Sequence, residues 1–216
     1  MAMMDEETKQ EVKKILDSLE NEVKIVFFKE NINCPSCLPA EEFLKEISSL
    51  SQKLKLEIYN KYIDEEKTAQ YSPAQLPAIF IETPFSQKRV VFYGIPAGYE
   101  FVSFLEAVKT SSSGKPELEQ DTFEKLKTMS SKVNIKVFVT PTCPYCPAAV
   151  VLAQRMAVAS ENITAEMIES NEFPGLAAKY QVEGVPKIVI NDKVHLVGAQ
   201  PESSFVAAVI DSSKSG

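Results

Sequence analysis

Residues 140–149 read TPTCPYCPAA, and residues 31–40 read NINCPSCLPA. Each stretch holds two cysteines with two residues between them, Cys34/Cys37 and Cys143/Cys146, and these are all four cysteines of the 216-residue chain. An apolar, β-branched run precedes each pair: VKIVFF before the first and IKVFV before the second. A segment of helical period follows each: LPAEEFLKEISSL and PAAVVLAQRMAVAS. Strand, Cys-x-x-Cys, helix is therefore written twice, and the rest of the chain can be aligned outward from it.

Cys34 and Cys143 are 109 positions apart, and so are Tyr71 and Tyr180, Pro77 and Pro186, and Ile81 and Ile190. The prolines sit in matching phrases, YSPAQLPAIFI and YQVEGVPKIVI. Beyond them the offset falls to 104, for Gly94 with Gly198 and Phe101 with Phe205. The first copy thus carries five extra residues in a hairpin, ETPFSQKRV against NDKV. A period this long exceeds that of a solenoid and marks two copies of a domain-sized unit. TSSSGKPE (110–117) has linker composition. The expected units are residues 1–112 and 113–216.

Both units give the same element order. A leading helix, a strand, the cysteine pair and its helix come first. A second strand, a short helix, a proline-led strand with a hairpin partner, and a closing helix follow. Strand–helix–strand predicts a parallel start, and the later hairpin adds antiparallel strands. Asn191-Asp192 is a two-residue turn signal. The predicted fold class is α/β: two tandem units, each a central mixed sheet of about four strands flanked by helices.

A cysteine pair at a helix start has a physical logic. Free N–H groups there favour negative charge, which lowers the pKa of the first thiol. The second cysteine is close enough to close a small disulfide ring. Cys143 is therefore the expected attacking sulfur and Cys146 the resolving one, with Cys34 and Cys37 in the same roles. The intervening dipeptides differ, Pro35-Ser36 against Pro144-Tyr145, which predicts different potentials at the two sites. Pro77 and Pro186 each lie 43 residues beyond the first cysteine of their pair. A proline opening a strand donates no ladder bond. With cis bonds at Leu76-Pro77 and Val185-Pro186, a substrate strand could pair beside the attacking sulfur. Leu76, Pro77, Val185, Pro186 and Tyr145 are accordingly the expected substrate-binding residues.

The pattern resembles the thioredoxin fold, and CPYC with VEGVPKIVIND is similar to glutaredoxins. Two such units in tandem, both with intact pairs, resemble the glutaredoxin-like protein disulfide oxidoreductases of archaea and thermophilic bacteria. The resemblance covers roughly residues 5–110 and 117–213. It implies thiol–disulfide exchange on protein substrates: reduction, formation or isomerisation. It also implies electron supply from a thioredoxin-reductase-type flavoenzyme, and no cofactor beyond the redox-active disulfides Cys34–Cys37 and Cys143–Cys146. Thioredoxins place a buried acid six residues before the first cysteine. Phe28 and Val137 stand at those positions here, so the proton acceptor for the resolving sulfur is not evident. Glu30 reads as a solvated loop charge near the first site.

The composition narrows the alternatives. Net charge is −7, which argues against a broad nucleic-acid or anionic-membrane surface. No run approaches the 18 or so apolar residues of a membrane span. The N-terminus is charged and helical in period, unlike a secretory signal. A cytoplasmic protein is expected, where cysteine pairs are more often catalytic or metal-binding than structural. A Cys₄ zinc site needs its pairs close in sequence, and a whole βα unit separates these, so no metal is expected. The other readings are a dedicated electron donor to a peroxidase and a non-catalytic binding scaffold. His195, the only histidine, reads as an ordinary hairpin side chain. The broad apolar face of AAVVLAQRMAVA predicts a helix buried between the units or at an oligomer contact.

Overall fold

The computed structural model describes residues 4–214; the outer ends of the expected units, 1–3 and 215–216, lie outside the described residues. The first copy comprises α1 (Glu6–Asp17), β1 (Val23–Lys29), α2 (Cys37–Ser48), β2 (Leu54–Asn60), α3 (Glu65–Tyr71), β3 (Ala78–Glu82), β4 (Val90–Tyr93) and α4 (Glu100–Ser113). The second comprises α5 (Gln120–Lys127), β5 (Val133–Val139), α6 (Cys146–Ala159), β6 (Ile163–Glu169), α7 (Pro174–Lys179), β7 (Lys187–Ile190), β8 (Val194–Val197) and α8 (Glu202–Lys214).

Alternating apolar side chains give each strand two buried faces. Val23, Ile25 and Phe27 of β1 enter one core with Ile79, Ile81, Val90 and Phe92. Val26 and Phe28 enter the other with Ala78, Phe80, Val91 and Tyr93. The first core is roofed by α1, α2, α4, α5, α6 and α8, through residues such as Leu16, Leu44, Phe104, Leu126, Val150 and Phe205. The second is thinner, closed by Tyr71 at the end of α3 and by Leu176 and Tyr180 around α7. Phe104 is fully buried against Phe43 and Phe92, so its truncation to alanine would cost about 3–5 kcal/mol.

The strands form a single eight-stranded sheet in the order β2-β1-β3-β4-β6-β5-β7-β8. Within each copy the pairing is as the sequence predicts: β1 with β2 and β5 with β6 parallel, the remainder antiparallel. The sequence did not announce the junction. β4 pairs in parallel with β6, Val90 opposite Ala165 and Phe92 opposite Met167, so the two four-stranded sheets become one. Their equivalents β8 and β2 are left as the sheet edges.

One local expectation changes and two are met. The linker reading of 110–117 is half right in form: α4 continues through Ser113, and Gly114 caps it with its N–H on the Thr110 carbonyl. The apolar α6 packs against α4 of the first copy, which accounts for its broad apolar face. Asn191 and Asp192 both take positive φ, 50° and 58°, as a tight two-residue hairpin turn requires.

Candidate active sites

Cys34 bonds to Cys37 and Cys143 to Cys146, with Cα–Cα separations of 5.3 and 5.5 Å. The helices begin at the second cysteine of each pair, so Pro35 and Pro144 lie in the turn before the helix. The turn is closed by the Cys37 N–H on the Cys34 carbonyl at 3.1 Å. Neither Ser36 nor Tyr145 caps its helix with a side chain. The first-turn N–H groups are thus left to face the sulfur end, where they favour a thiolate.

Exposure separates the two sulfurs of each pair. Cys37 is 2% exposed and Cys146 is fully buried, whereas Cys34 is half-buried and Cys143 retains 7%. The accessible member in both cases is the first. The peptide bonds Leu76-Pro77 and Val185-Pro186 are cis. Leu76 and Val185 are half-buried, and Pro77 and Pro186 are buried beneath them. The Cys143 Sγ stands 3.7 Å from the Val185 carbonyl oxygen. Tyr145 projects beside the second pair, 72% exposed. Ile32, Leu38, Tyr62 and Ile63 are exposed apolar side chains of the loops and helix around the first pair.

The charged surroundings of the two pairs differ. Glu41, one turn beyond Cys37, is buried between Lys29 and Lys45, with both Nζ atoms at 2.5 Å. Burial works to raise its carboxyl pKa, but the two ammonium groups outweigh it and hold the pKa below the usual range. The matching residues of the second copy, at the 109-residue offset, are Phe138, Val150 and Gln154. Phe28 is packed against Tyr59, Tyr71 and Phe80, and Val137 is buried. An aromatic and aliphatic layer thus occupies the place of the absent acid.

The first copy packs a buried acid at the start of the element that lies along the second copy's cysteine helix. Gly98 takes φ +60°, and a Cβ there would lie 2.2 Å from the Pro141 carbonyl oxygen. This close approach lets the Tyr99 N–H donate to that oxygen at 3.0 Å, two residues before Cys143. Glu100 follows, 1% exposed, at the start of α4, which packs on the helix that begins at Cys146. Its Oε2 accepts from the Ser103 hydroxyl at 2.7 Å, and its Oε1 is enclosed without a partner. Burial pushes its pKa up to about 7. Sequence reading missed it because its repeat counterpart is Ser204, so it carries no repeated signal.

The second copy returns the arrangement. Its loop after β6 meets the first copy just beyond β4: the Ile95 N–H donates to Glu172 Oε1, next to Gly94, whose own N–H donates to the first copy's Pro77 carbonyl. Glu169 folds this loop by accepting from the N–H groups of Asn171 and Glu172; burial pushes its pKa up. A cavity of about 330 Å³ beside Cys34 is lined from both copies, with Pro35 and Leu76 on one side and Glu172 and Phe173 on the other. A larger hollow of about 780 Å³ between α5 and α8 includes no cysteine. His195 is exposed on β8. The four sulfurs form two separate pairs, and among the described residues no cluster of His, Cys, Asp or Glu has a metal-binding arrangement. Among the described residues no helix is long and apolar enough to cross a membrane.

Comparison with known proteins agrees with this geometry. The family description "Thioredoxin domain" matches residues 133–211. A protein disulfide oxidoreductase from Aeropyrum pernix K1 superposes with a TM-score of 0.92, at 29% identity, over 100% of this chain and 96% of that one. The alkylhydroperoxide reductase AhpF of Enterococcus faecalis superposes at 0.88, with 27% identity, over 96% of this chain and 100% of that one. The alkyl hydroperoxide reductase AhpF of Staphylococcus aureus is 27% identical over 189 residues, 88% of this chain and 34% of that protein. The chain spans about a third of the length of the curated relatives it matches. It is a tandem thioredoxin-fold protein, two repeats of the fold with one Cys-x-x-Cys pair in each.

Proposed function

We propose that the protein is a protein thiol–disulfide oxidoreductase with two dithiol sites. The observation that carries this is the repeated difference in exposure: at both helix ends the first cysteine is the more exposed of its pair and the second is enclosed. In the reducing direction the Cys143 thiolate attacks a substrate disulfide. A Cys143–substrate bond forms and one substrate thiol leaves. Cys146 then attacks the Cys143 sulfur, the second substrate thiol leaves, and Cys143–Cys146 closes; two electrons and two protons have passed to the substrate. Cys34 and Cys37 act in the same order. The Val185 carbonyl beside Cys143, and Leu76 beside Cys34, are where a substrate strand would pair. Glu100 is the candidate acceptor for the Cys146 proton. The divisions 1–112 and 113–216 are proposed as the catalytic units.

Electrons would come from a thioredoxin-reductase-type flavoenzyme, and the setting would be cytoplasmic. A second reading, a donor of electrons to a peroxidase, is favoured by the matches to the alkyl hydroperoxide reductases; it uses the same chemistry with a narrower acceptor.

Reduction of insulin by dithiothreitol tests the proposal. The protein should accelerate precipitation, Cys143→Ser should lose most of that rate while keeping its fold, and Cys146→Ser should accumulate mixed disulfides visible on a non-reducing gel. A wild-type rate in Cys143→Ser, or no adducts in Cys146→Ser, would contradict the assigned roles.

A further inference from the structure

The cavity beside Cys34 is walled by three charged side chains. Glu30, Lys61 and Glu172 line it together with Leu76 and Phe173. Two carboxylates therefore face one ammonium. Lys61 lies over the Tyr62 ring, 5.9 Å from its centroid, and among the described residues neither Glu30 nor Glu172 has an ion-pair partner. Glu172 accepts one N–H, from Ile95, and its Oε2 is enclosed with no hydrogen-bond partner. Its negative charge is uncompensated at the end of the groove where Leu76 would receive a substrate strand.

At the 109-residue offset the counterparts of Glu30, Lys61 and Tyr62 are Val139, Ser170 and Asn171, all uncharged. The glycine that Glu172 covers makes the same point. A Cβ on Gly94 would lie 2.8 Å from Glu172 Oε1, whereas one on Gly198 would meet nothing within 4 Å. The first groove has a wall, and the second is open at the same place.

We propose that Glu172, carried by the second unit, is a specificity-determining residue of the first site, and that with Glu30 it selects disulfides flanked by a lysine or arginine. This rests on the thiol–disulfide reading of the Cys34–Cys37 pair. A carboxylate in a partly enclosed groove attracts a cation and repels an anion through less water than at an open surface. At the position matching the cavity residue Ala74 the second site carries Glu183, which is exposed to solvent rather than enclosed like Glu172.

The test uses two forms of the full chain, one with Cys143→Ser and Cys146→Ser, the other with Cys34→Ser and Cys37→Ser. Each receives symmetrical disulfide dimers of a short cysteine peptide with Lys, Gln or Glu on either side of the cysteine, and dithiothreitol supplies electrons. Ratios of kcat/KM between peptides are taken relative to the second-site form, which divides out the intrinsic reactivity of each peptide. The first site should prefer Lys to Gln by about fivefold at low salt, the size of one partly screened ion pair, and disfavour Glu further. Glu172→Gln should bring the Lys/Gln ratio towards one, and high salt should do the same to the parent form. Turnover without a lysine preference overturns the proposal, as does a preference that survives Glu172→Gln. Failure of the first-site form to turn over any peptide overturns instead the oxidoreductase reading of that pair.

Discussion

Glu100 shows how a single side chain can be decisive and yet silent in the sequence. Its carboxyl is removed from water at the start of α4, where that helix packs on α6, and burial raises its pKa to about 7 from an unperturbed 4.5. Between those two values the folded protein holds a proton that the unfolded chain has released. Stability therefore falls as pH rises from about 4.5 to 7, by about 3 kcal/mol in total, and stays at the lower level above that. Glu100→Gln keeps the shape and the Ser103 contact but cannot ionise. Relative to its own value at pH 5, the variant should be more stable at pH 8 than the parent, which denaturant titrations at the two pH values will measure. If Glu100 also accepts the Cys146 proton, exchange by the Cys34→Ser, Cys37→Ser form should show a step near pH 7 that Glu100→Gln removes. The cysteines and prolines were legible because their chemistry is compressed into residue types at fixed spacing. Glu100 was not, because its position depends on how α4 of one copy lies over the other.

At the scale of elements, the two hairpins show what pattern can and cannot reveal. The short one, β7–β8, was readable from Asn191-Asp192, whose side chains tolerate positive φ. The long one was readable only as an insertion. Its five extra residues build a turn tied first within its own unit: Thr83 Oγ1 donates to the Ser111 carbonyl at 2.9 Å, and Ser86 Oγ to the Ile81 carbonyl at 2.8 Å. Arg89, 9% exposed, donates from Nε to the Ala157 carbonyl at the end of α6, and from Nη2 to the Phe85 carbonyl. Its own carbonyl accepts from the Ala165 N–H on β6 at 2.8 Å. The insertion is thus a clamp from the first copy onto α6 and β6 of the second. Arg89→Ala would leave the buried Ala157 carbonyl without its charged donor and would also remove the bond to the Phe85 carbonyl. The expected cost is about 2–3 kcal/mol, read as a lowered denaturation midpoint with an unchanged slope. A loss under about 0.5 kcal/mol, the usual size for an inconsequential surface change, would show that the clamp contributes nothing.

For the whole molecule, the repeat predicted two units and the junction makes them one sheet. A sequence period reports what each copy shares, so the pairing of β4 with β6 left no periodic trace. Its physical cause is visible in burial: Val90, Phe92 and Met167 are at most 1% exposed, all in the core shared by both copies. Exposing these three would cost about 5–9 kcal/mol, comparable to the net stability of a whole domain. Neither copy should therefore unfold while the other stays native. Amide hydrogen exchange in low denaturant will test this. Amides of β4 and β6 at the junction should open only with the global transition, with the same free energy and denaturant dependence as those of β1 and β5. Independent units would instead give two classes, one per copy, and the less stable copy would exchange along all four of its strands while the other remained protected.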